Sequence, residues 1–275
     1  MTMVIAALFG ANELMGQGTP GNAKEYNERG VQFFNNEQYE QAIADFSQSI
    51  RMDSTDPVTY HNRGTAYMIT GDFDRAINDF TQVIRLNPDN AIGYSNRGAA
   101  NFRKKDFAKA ISDYSQAIKM DPNLLEAYQG RAAAYRESGD FNNAIADHSQ
   151  AIKLSPKDAG NYLLRGIAYY SSDNYSKAIE DYNQGIKLDK KSLAAYILRG
   201  QVYAKQENYK KAIADFTQAL KMEPKNQDLL IVRGFMYFLN KEYKKGISDA
   251  EAALKIDSDN PEAQKLITMC RESMR

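Results

Sequence analysis

The sequence contains no tryptophan, one cysteine and two histidines. A single thiol, Cys270, cannot form an intrachain disulfide or a cysteine-based metal site. Neither His61 nor His148 has a second His or Cys at ligand spacing, so the sequence predicts no metal site and no cofactor. The scarcity of these residues excludes disulfide-stapled domains and zinc-binding modules.

The formal net charge is zero, because 35 basic residues balance 35 acidic ones. Bulk electrostatics therefore do not favour nucleic acid or a membrane surface as the partner. No glycine-rich phosphate loop follows a strand pattern, and no pair of carboxylates stands apart as an acid and a base. We therefore predict that the protein is not an enzyme.

What the sequence does have is one residue pair that returns seven times, every 34 residues, without insertion or deletion. The pair is Arg followed by Gly or Ala, from Arg29-Gly30 to Arg233-Gly234. We number the repeats one to seven from residues 23, 57, 91, 125, 159, 193 and 227, and count positions within each. Self-similarity at such a period indicates a repeat architecture.

Within each repeat the apolar residues are spaced as on two helices. Positions 4, 8 and 11 share one face of a first helix, and positions 17, 20, 21, 24 and 28 share one face of a second. Position 11 is aromatic in every repeat except the third, which has Asn101. Polar turns such as 70–72 separate the helices, and four second helices are followed by a proline, which cannot continue a helix. The sequence therefore predicts an all-α fold.

Two charged positions do not vary among the repeats. Position 7 is always Arg and position 23 is always Asp. Seven free arginines would form a ladder for phosphates, whereas arginines paired with the aspartates would join the two helices of each repeat. Because the counts match and unpaired half-buried charges are costly, we predict seven ion pairs and no nucleic-acid site.

With period, helix pairs and small and aromatic positions established, the chain resembles the tetratricopeptide repeat family. The resemblance covers residues 23–256 and one further helix. It implies a right-handed α-solenoid superhelix of helix-turn-helix repeats that binds proteins or peptides on its concave face. We divide the chain into an N-terminal segment 1–22, seven repeats in 23–260 and a capping helix in 261–275.

In that family, first-helix positions 2, 5, 9, 12 and 13 build the concave groove. In this chain those positions are most apolar in repeats five and seven. The resemblance therefore implies a scaffold or adaptor whose apolar groove holds a helix or extended segment of a partner protein. The candidate groove residues are Asn27, Phe34, His61, Met68, Phe102, Arg103, Leu163, Ile167, Tyr170, Ile197, Ile231 and Phe235.

One well-known ligand of the family does not fit this groove. The carboxylate clamp for C-terminal tails of heat-shock chaperones needs Lys and Arg at fixed groove positions. Asn62 and Asn96 match its middle element, but Ile92 and Glu126 stand where a Lys is required. A second hypothesis is self-association, in which the groove or the N-terminal segment of one copy binds another copy and forms a homo-oligomer.

The two ends carry separate predictions. Residues 261–275 continue the repeat register as a helix that covers the last apolar surface, with Cys270 as a packed thiol. His148 replaces an aromatic residue at position 24 and is predicted to lie in the core.

At the other end, residues 1–11 are apolar and Gly16-Gln17-Gly18 follows, but no Lys or Arg precedes Lys24. Three interpretations stay open for this segment: a signal peptide, a helix packed on repeat one, or a tail that docks in a groove. The first predicts an exported or periplasmic protein, and the others a cytoplasmic one.

Overall fold

A computed structural model describes residues 20–275. Most of the N-terminal segment, residues 1–19, lies outside the described residues, and our three interpretations of it stay predictions. Every regular element within 20–275 is helical, which confirms the all-α class. The chain divides after Leu124 into two compact units, which we call the N-terminal unit and the C-terminal unit.

The N-terminal unit contains three helix pairs. Each first helix packs on the second helix of its own pair, each second helix packs on the next first helix, and α1 also contacts α3. First helices therefore succeed one another along one side, which we call the first-helix face. The helices are α1 (Ala23–Asn35), α2 (Tyr39–Met52), α3 (Pro57–Thr70), α4 (Phe73–Leu86), α5 (Ala91–Arg103) and α6 (Phe107–Met120).

The C-terminal unit repeats this arrangement with four pairs and a final single helix. The final helix, α15, packs on both α13 and α14. The helices are α7 (Leu125–Glu137), α8 (Phe141–Leu154), α9 (Ala159–Ser171), α10 (Tyr175–Leu188), α11 (Leu193–Lys205), α12 (Tyr209–Met222), α13 (Gln227–Leu239), α14 (Tyr243–Leu254) and α15 (Pro261–Glu272).

Local sequence explains where these helices begin and turn. Asp56 accepts hydrogen bonds from the backbone amides of Val58 and Thr59, with Pro57 in the first turn, and Asn260 caps α15 in the same way. Position 15 lies in the left-handed region in all seven repeats, although only Gly71 and Gly139 are glycines there. The turn geometry is therefore imposed by the flanking helices, since five other side chains accept it.

A glycine at position 8 allows the two helices of a pair to approach closely. In five repeats a Cβ at this position would lie within 2.5–3.2 Å of the aromatic ring at position 24, as at Gly166 against Tyr182. Repeat four has Ala132 with the smaller His148 ring, and both are buried. The ring and the residue facing it thus change size together, which keeps the pair closely packed.

Repeat seven fills the same space with a residue from another helix. Position 24 there is Ala250, which has no ring, and the side chain of fully buried Leu266 lies 2.8 Å from the place of a Cβ on Gly234. Leu266 belongs to α15, and it joins Ala250 and Cys270 in the largest cluster of buried residues in this unit. Helix α15 therefore completes the core of the last pair.

Candidate functional site

The seven arginines at position 7 are structural. Each forms a two-pronged hydrogen bond with the Asp at position 23 of its own repeat, as from Arg165 Nε and Nη2 to Asp181 at 2.8 and 2.7 Å. The hydrogen bonds with Asp181 raise the pKa of the Arg165 guanidinium, and this effect is larger than that of burial, which lowers the pKa. The prediction of seven pairs is confirmed: Arg29–Asp45, Arg63–Asp79, Arg97–Asp113, Arg131–Asp147, Arg165–Asp181, Arg199–Asp215 and Arg233–Asp249.

Aromatic rings flank these guanidinium groups. Arg63 lies over the rings of Tyr60 and Tyr67, with its central carbon 5.8 Å from each centroid. Such cation–π contacts add to the stabilisation that the ion pair provides. Each arginine of this column is thus paired along its edge with an aspartate and lies over at least one ring, so the column offers no ladder of free phosphate ligands.

On the first-helix face of the N-terminal unit, polar side chains join successive repeats. Asn62 donates from Nδ2 to Asn27 Oδ1 at 3.1 Å, and Asn96 Nδ2 lies 2.9 Å from His61 Nε2. Both bonds join position 5 of one repeat to position 6 of the next, and the asparagine at position 6 supplies the donor group. Burial lowers the pKa of His61, which favours a neutral ring that accepts from Asn96. Two candidate residues, Asn27 and His61, are therefore hydrogen-bonded within the chain.

The aromatic candidates at position 12 contact an aromatic ring at the start of the second helix, across the turn that follows them. Phe34 contacts Tyr39 edge-to-face at 5.5 Å, and Phe102 contacts Phe107 at 5.6 Å between ring centroids. Tyr170 and Tyr175 repeat the contact at 5.6 Å in the C-terminal unit. These rings stay half-buried, so they combine a structural contact with some accessible surface.

The remaining N-terminal candidates differ in exposure. Met68 is partly buried against the cluster of Tyr67, Ala76 and Phe80. Arg103 is exposed, and its guanidinium lies 5.0 Å from the centroid of the Phe73 ring. Arg103 is the one exposed member of the candidate set.

The C-terminal candidates pack against apolar clusters. Leu163 and Ile167 lie against the cluster of Ala178, Tyr182 and Val202, and Ile197 and Phe235 lie against the larger cluster that contains Leu266. All four are half-buried.

Ile231 is a correction to the candidate set. It is 3 % exposed and belongs to the same buried cluster as Leu266, the residue 35 positions later. In the N-terminal unit, position 5 of one repeat bonds to position 6 of the next, as Asn27 does to Asn62. For Ile231 the residue at the matching place is Leu266, which belongs to α15. Because α15 occupies the place of an eighth first helix, Ile231 is core and is not accessible to a partner.

The sequence predicted the most apolar part of the groove in repeats five and seven. The two most exposed aliphatic residues of the first helices lie instead in repeats two and three. Val58 is 56 % exposed and Ile92 is 55 % exposed, and Val31 and Ile69 are exposed too. All four belong to the N-terminal unit, whereas in repeats five and seven only Val232 and Leu239 on first helices reach comparable exposure. Val58 and Ile92 occupy position 2 in successive repeats, where an aliphatic residue is a signal readable from the sequence.

Isolated reactive groups in the C-terminal unit belong to the core. His148 is 2 % exposed, its Nδ1 has no hydrogen-bond partner, and burial together with Arg136 and Arg165 lowers its pKa to about 4. Cys270 is buried, and burial raises its pKa. Both core predictions are confirmed.

Within residues 20–275, no three His, Cys, Asp or Glu side chains are arranged to hold a metal ion. No helix of this part of the chain combines the length and apolar character needed to cross a membrane.

Family models match most of the repeat array. Models described as tetratricopeptide repeat match residues 61–124 and 194–226, and one described as TPR repeat matches 132–173 and 166–207. None of the curated proteins gives a significant match to the sequence.

Solved structures share the fold at low sequence identity. The C-terminal part of a TPR protein from Cytophaga hutchinsonii is 21 % identical with a TM-score of 0.73, over 87 % of this chain and 98 % of that one. A tetratricopeptide repeat protein from Parabacteroides merdae is 19 % identical with a TM-score of 0.67, over 90 % and 98 %.

A third structure is YrrB, described as a TPR protein with an unusual peptide-binding site. It is 19 % identical with a TM-score of 0.56, over 68 % of this chain and 96 % of that one. The fold is one that protein–protein interaction scaffolds generally use without catalysis. By its repeat models and its helix pairs, the chain belongs to the tetratricopeptide repeat family.

Proposed function

We propose that the protein is a non-catalytic adaptor that binds a segment of a partner protein on its first-helix face. The observation that carries the proposal is the exposure of Val58 and Ile92 at the same position of two successive repeats. Exposed aliphatic residues that lie together commonly mark interaction sites. The class of partner is therefore a polypeptide with apolar side chains, and the proposal includes no nucleic acid, metal or cofactor.

The surroundings of these residues favour a polypeptide. One helical turn after Val58 and Ile92 lie Asn62 and Asn96, and the amide group of each is already bonded to the preceding repeat. Amides have further donor and acceptor capacity that a backbone can use. Apolar side chains beside such amides suit a segment that presents both side chains and main-chain polar groups. YrrB supplies a precedent for a peptide ligand on this fold, at the level of ligand class only.

The test uses a double variant, Val58→Asp with Ile92→Asp. Peptides are selected against the wild-type protein from a random display library, and their affinity is then measured for each variant. Two carboxylates on the exposed face should weaken binding by about a hundredfold, since burying an uncompensated charge is costly. Both residues are more than half exposed, so helicity by circular dichroism should stay unchanged.

A matched control is Met52→Asp, because Met52 is 49 % exposed at the end of a second helix, α2. Wild-type affinity in this control, with loss in the double variant, supports the first-helix face. Equal affinity in all three proteins would move the binding site elsewhere.

The alternative, self-association through this face or the N-terminal segment, predicts a different result. Sedimentation would show oligomers for the wild type and a monomer for the double variant or after deletion of residues 1–21. A wild-type monomer at all concentrations would remove this alternative.

A further inference from the structure

One repeat has no aromatic ring at position 11. The third repeat has Asn101 there, whose side chain is buried and donates from Nδ2 to Asp113 Oδ2 at 3.0 Å. Arg97 of the same repeat lies over Tyr94 at 5.5 Å. In the second repeat the matching arginine lies over two rings, Tyr60 and Tyr67. Asn101 therefore leaves one face of the Arg97 guanidinium without the ring that repeat two supplies.

Other repeats show what occupies this place. In repeat two the Tyr67 ring lies near two cations, Arg63 at 5.8 Å and Arg75 at 4.7 Å from its centroid, which come from positions 7 and 19. In repeat five the Tyr169 ring lies near Arg165 at 5.8 Å and Lys177 at 5.4 Å. Repeat seven has the same arrangement with Tyr237, Arg233 and Lys245 at 5.7 and 5.4 Å. Each of these phenol rings thus has two cations within 6 Å of its centroid.

Repeat three keeps both cations and lacks the ring. Position 7 is Arg97 and position 19 is Lys109, and both line an open cleft of about 930 Å³ together with Asn101. Phe107 and Ile77 add apolar wall, and the rim carries Lys104 and Lys105 together with Asp74, which is paired with Lys104. Lys109 is paired with Asp106 at 2.8 Å, but Lys245 is likewise paired with Glu242 and still lies over its ring. We call this cleft the Asn101 slot.

We propose that the Asn101 slot binds a tyrosine side chain of a partner polypeptide, with its ring between Arg97 and Lys109. The three filled slots, in repeats two, five and seven, define the ligand, because each holds a tyrosine ring close to cations from positions 7 and 19. A ring between two cations gains from both its faces. In repeat two the phenol oxygen also has a donor, because hydrogen bonds with Asp72 and, second to it, with Tyr67 raise the pKa of Arg75.

A polypeptide is favoured over a free phenol by the size of the cleft. Sites for drug-sized ligands span about 300–1,000 Å³, so one ring fills only part of the Asn101 slot. The remaining space, beside Ile77, Phe107 and the two rim lysines, has room for the residues next to the tyrosine. This slot uses none of Val58, Ile69 or Ile92, so the inference does not depend on the proposed function.

The test titrates the protein with 4-methylphenol, the tyrosine side-chain analogue, and follows backbone and Arg Nε signals by NMR. The expected result is saturable shifts at Arg97, Asn101 and Lys109. Asn101→Tyr should weaken this binding by at least about tenfold, because the chain then supplies its own ring. Asn101→Ala is the matched control, since it removes the amide and leaves the slot open, and it should bind as the wild type does.

A gain of binding gives an independent check. Tyr169→Asn should open a second slot between Arg165 and Lys177 and raise the stoichiometry from one to two. Absence of saturable shifts in the wild type, or equal binding by the Asn101→Tyr variant, would overturn the proposal. A capped Gly-Tyr-Gly peptide should bind more tightly than 4-methylphenol; weaker binding would overturn the assignment to a polypeptide.

Discussion

The N-terminal and C-terminal units use opposite chemistry at the same two positions of the repeat. In the N-terminal unit, positions 5 and 6 join successive repeats by hydrogen bonds, Asn27 with Asn62 and His61 with Asn96. In the C-terminal unit the same positions are aliphatic from repeat five onward, as at Leu163 and Leu198, which pack on one apolar cluster. The helix pairs are nevertheless built alike in both units.

The comparison separates positions that hold a helix pair together from positions that are free to vary. The Arg–Asp pair at positions 7 and 23 is the same in both units, with side chains mostly buried. Positions 2, 5 and 6 face the neighbouring repeat or solvent, so polar and apolar solutions both satisfy the fold. Recognition can therefore diverge between units whose pair-forming core is constant.

The largest expected effect tests the end of the C-terminal unit. Leu266→Ala should lower the free energy of unfolding by about 2–5 kcal/mol, because it empties a fully buried space that a ring fills in other repeats. Hydrogen exchange should show the loss in α13 and α14, since repeat stability is mostly nearest-neighbour. Exposed Lys265→Ala is the control. An equal loss of protection in α1–α6 would contradict this account.

The second prediction tests whether the invariant pair stabilises the two units equally. Asp79→Ala and Asp215→Ala should each cost about 3 kcal/mol, because each leaves a largely buried arginine without its partner. Urea unfolding followed by circular dichroism measures both. Asp74→Ala, which removes an exposed partner of Lys104, should cost less than about 1 kcal/mol. A large difference between the two buried variants would show that the units rely on the pair differently.

The third prediction concerns acid stability and His148. Its pKa is about 4 in the folded state and near 6.5 when unfolded, so the unfolded chain binds the proton more readily. Stability should therefore fall as pH decreases from 6.5 towards 4, by about 2 kcal/mol between pH 7 and 5.

Ala132→Gly with His148→Phe restores the residue pair of repeats one, two and six and should remove this loss. Unfolding measured from pH 7 to pH 5 checks it. An unchanged pH dependence in the double variant would assign the loss to other groups.

The smallest expected effect converts the N-terminal chemistry into the C-terminal one. Asn62→Leu alone should cost about 1 kcal/mol, because it leaves Asn27 without its bond. Asn27→Leu with Asn62→Leu, the pairing of Leu163 and Leu198, should return close to the wild-type stability. A double-variant cost equal to the sum of the single costs would show that the two positions do not interact.

Sequence periodicity predicted the structural positions best. The match in number between Arg and Asp predicted the ion pairs, because an invariant charge at a half-buried position needs a partner. The aromatic register likewise placed His148 in the core, and the repeat register placed a helix at 261–275.

Exposure was predicted less well. Phe235 and Ile231 belong to one groove pattern in the sequence, yet only Ile231 is fully buried. The pattern describes one helix at a time, and burial depends on what packs against it.

The all-α class, the 34-residue period, the ion pairs and the missing ring at Asn101 can all be read from residue spacing and charge along the chain. Which first-helix residues remain accessible, and whether the place of the missing ring is open, depends on how the helices pack on one another. Ile231 is buried because Leu266, from a later helix, belongs to the same cluster. The Asn101 slot is open because Asn101 replaces the ring of other repeats beside cations from two different helices. Such features depend on contacts between helices, which a residue pattern along one helix does not contain.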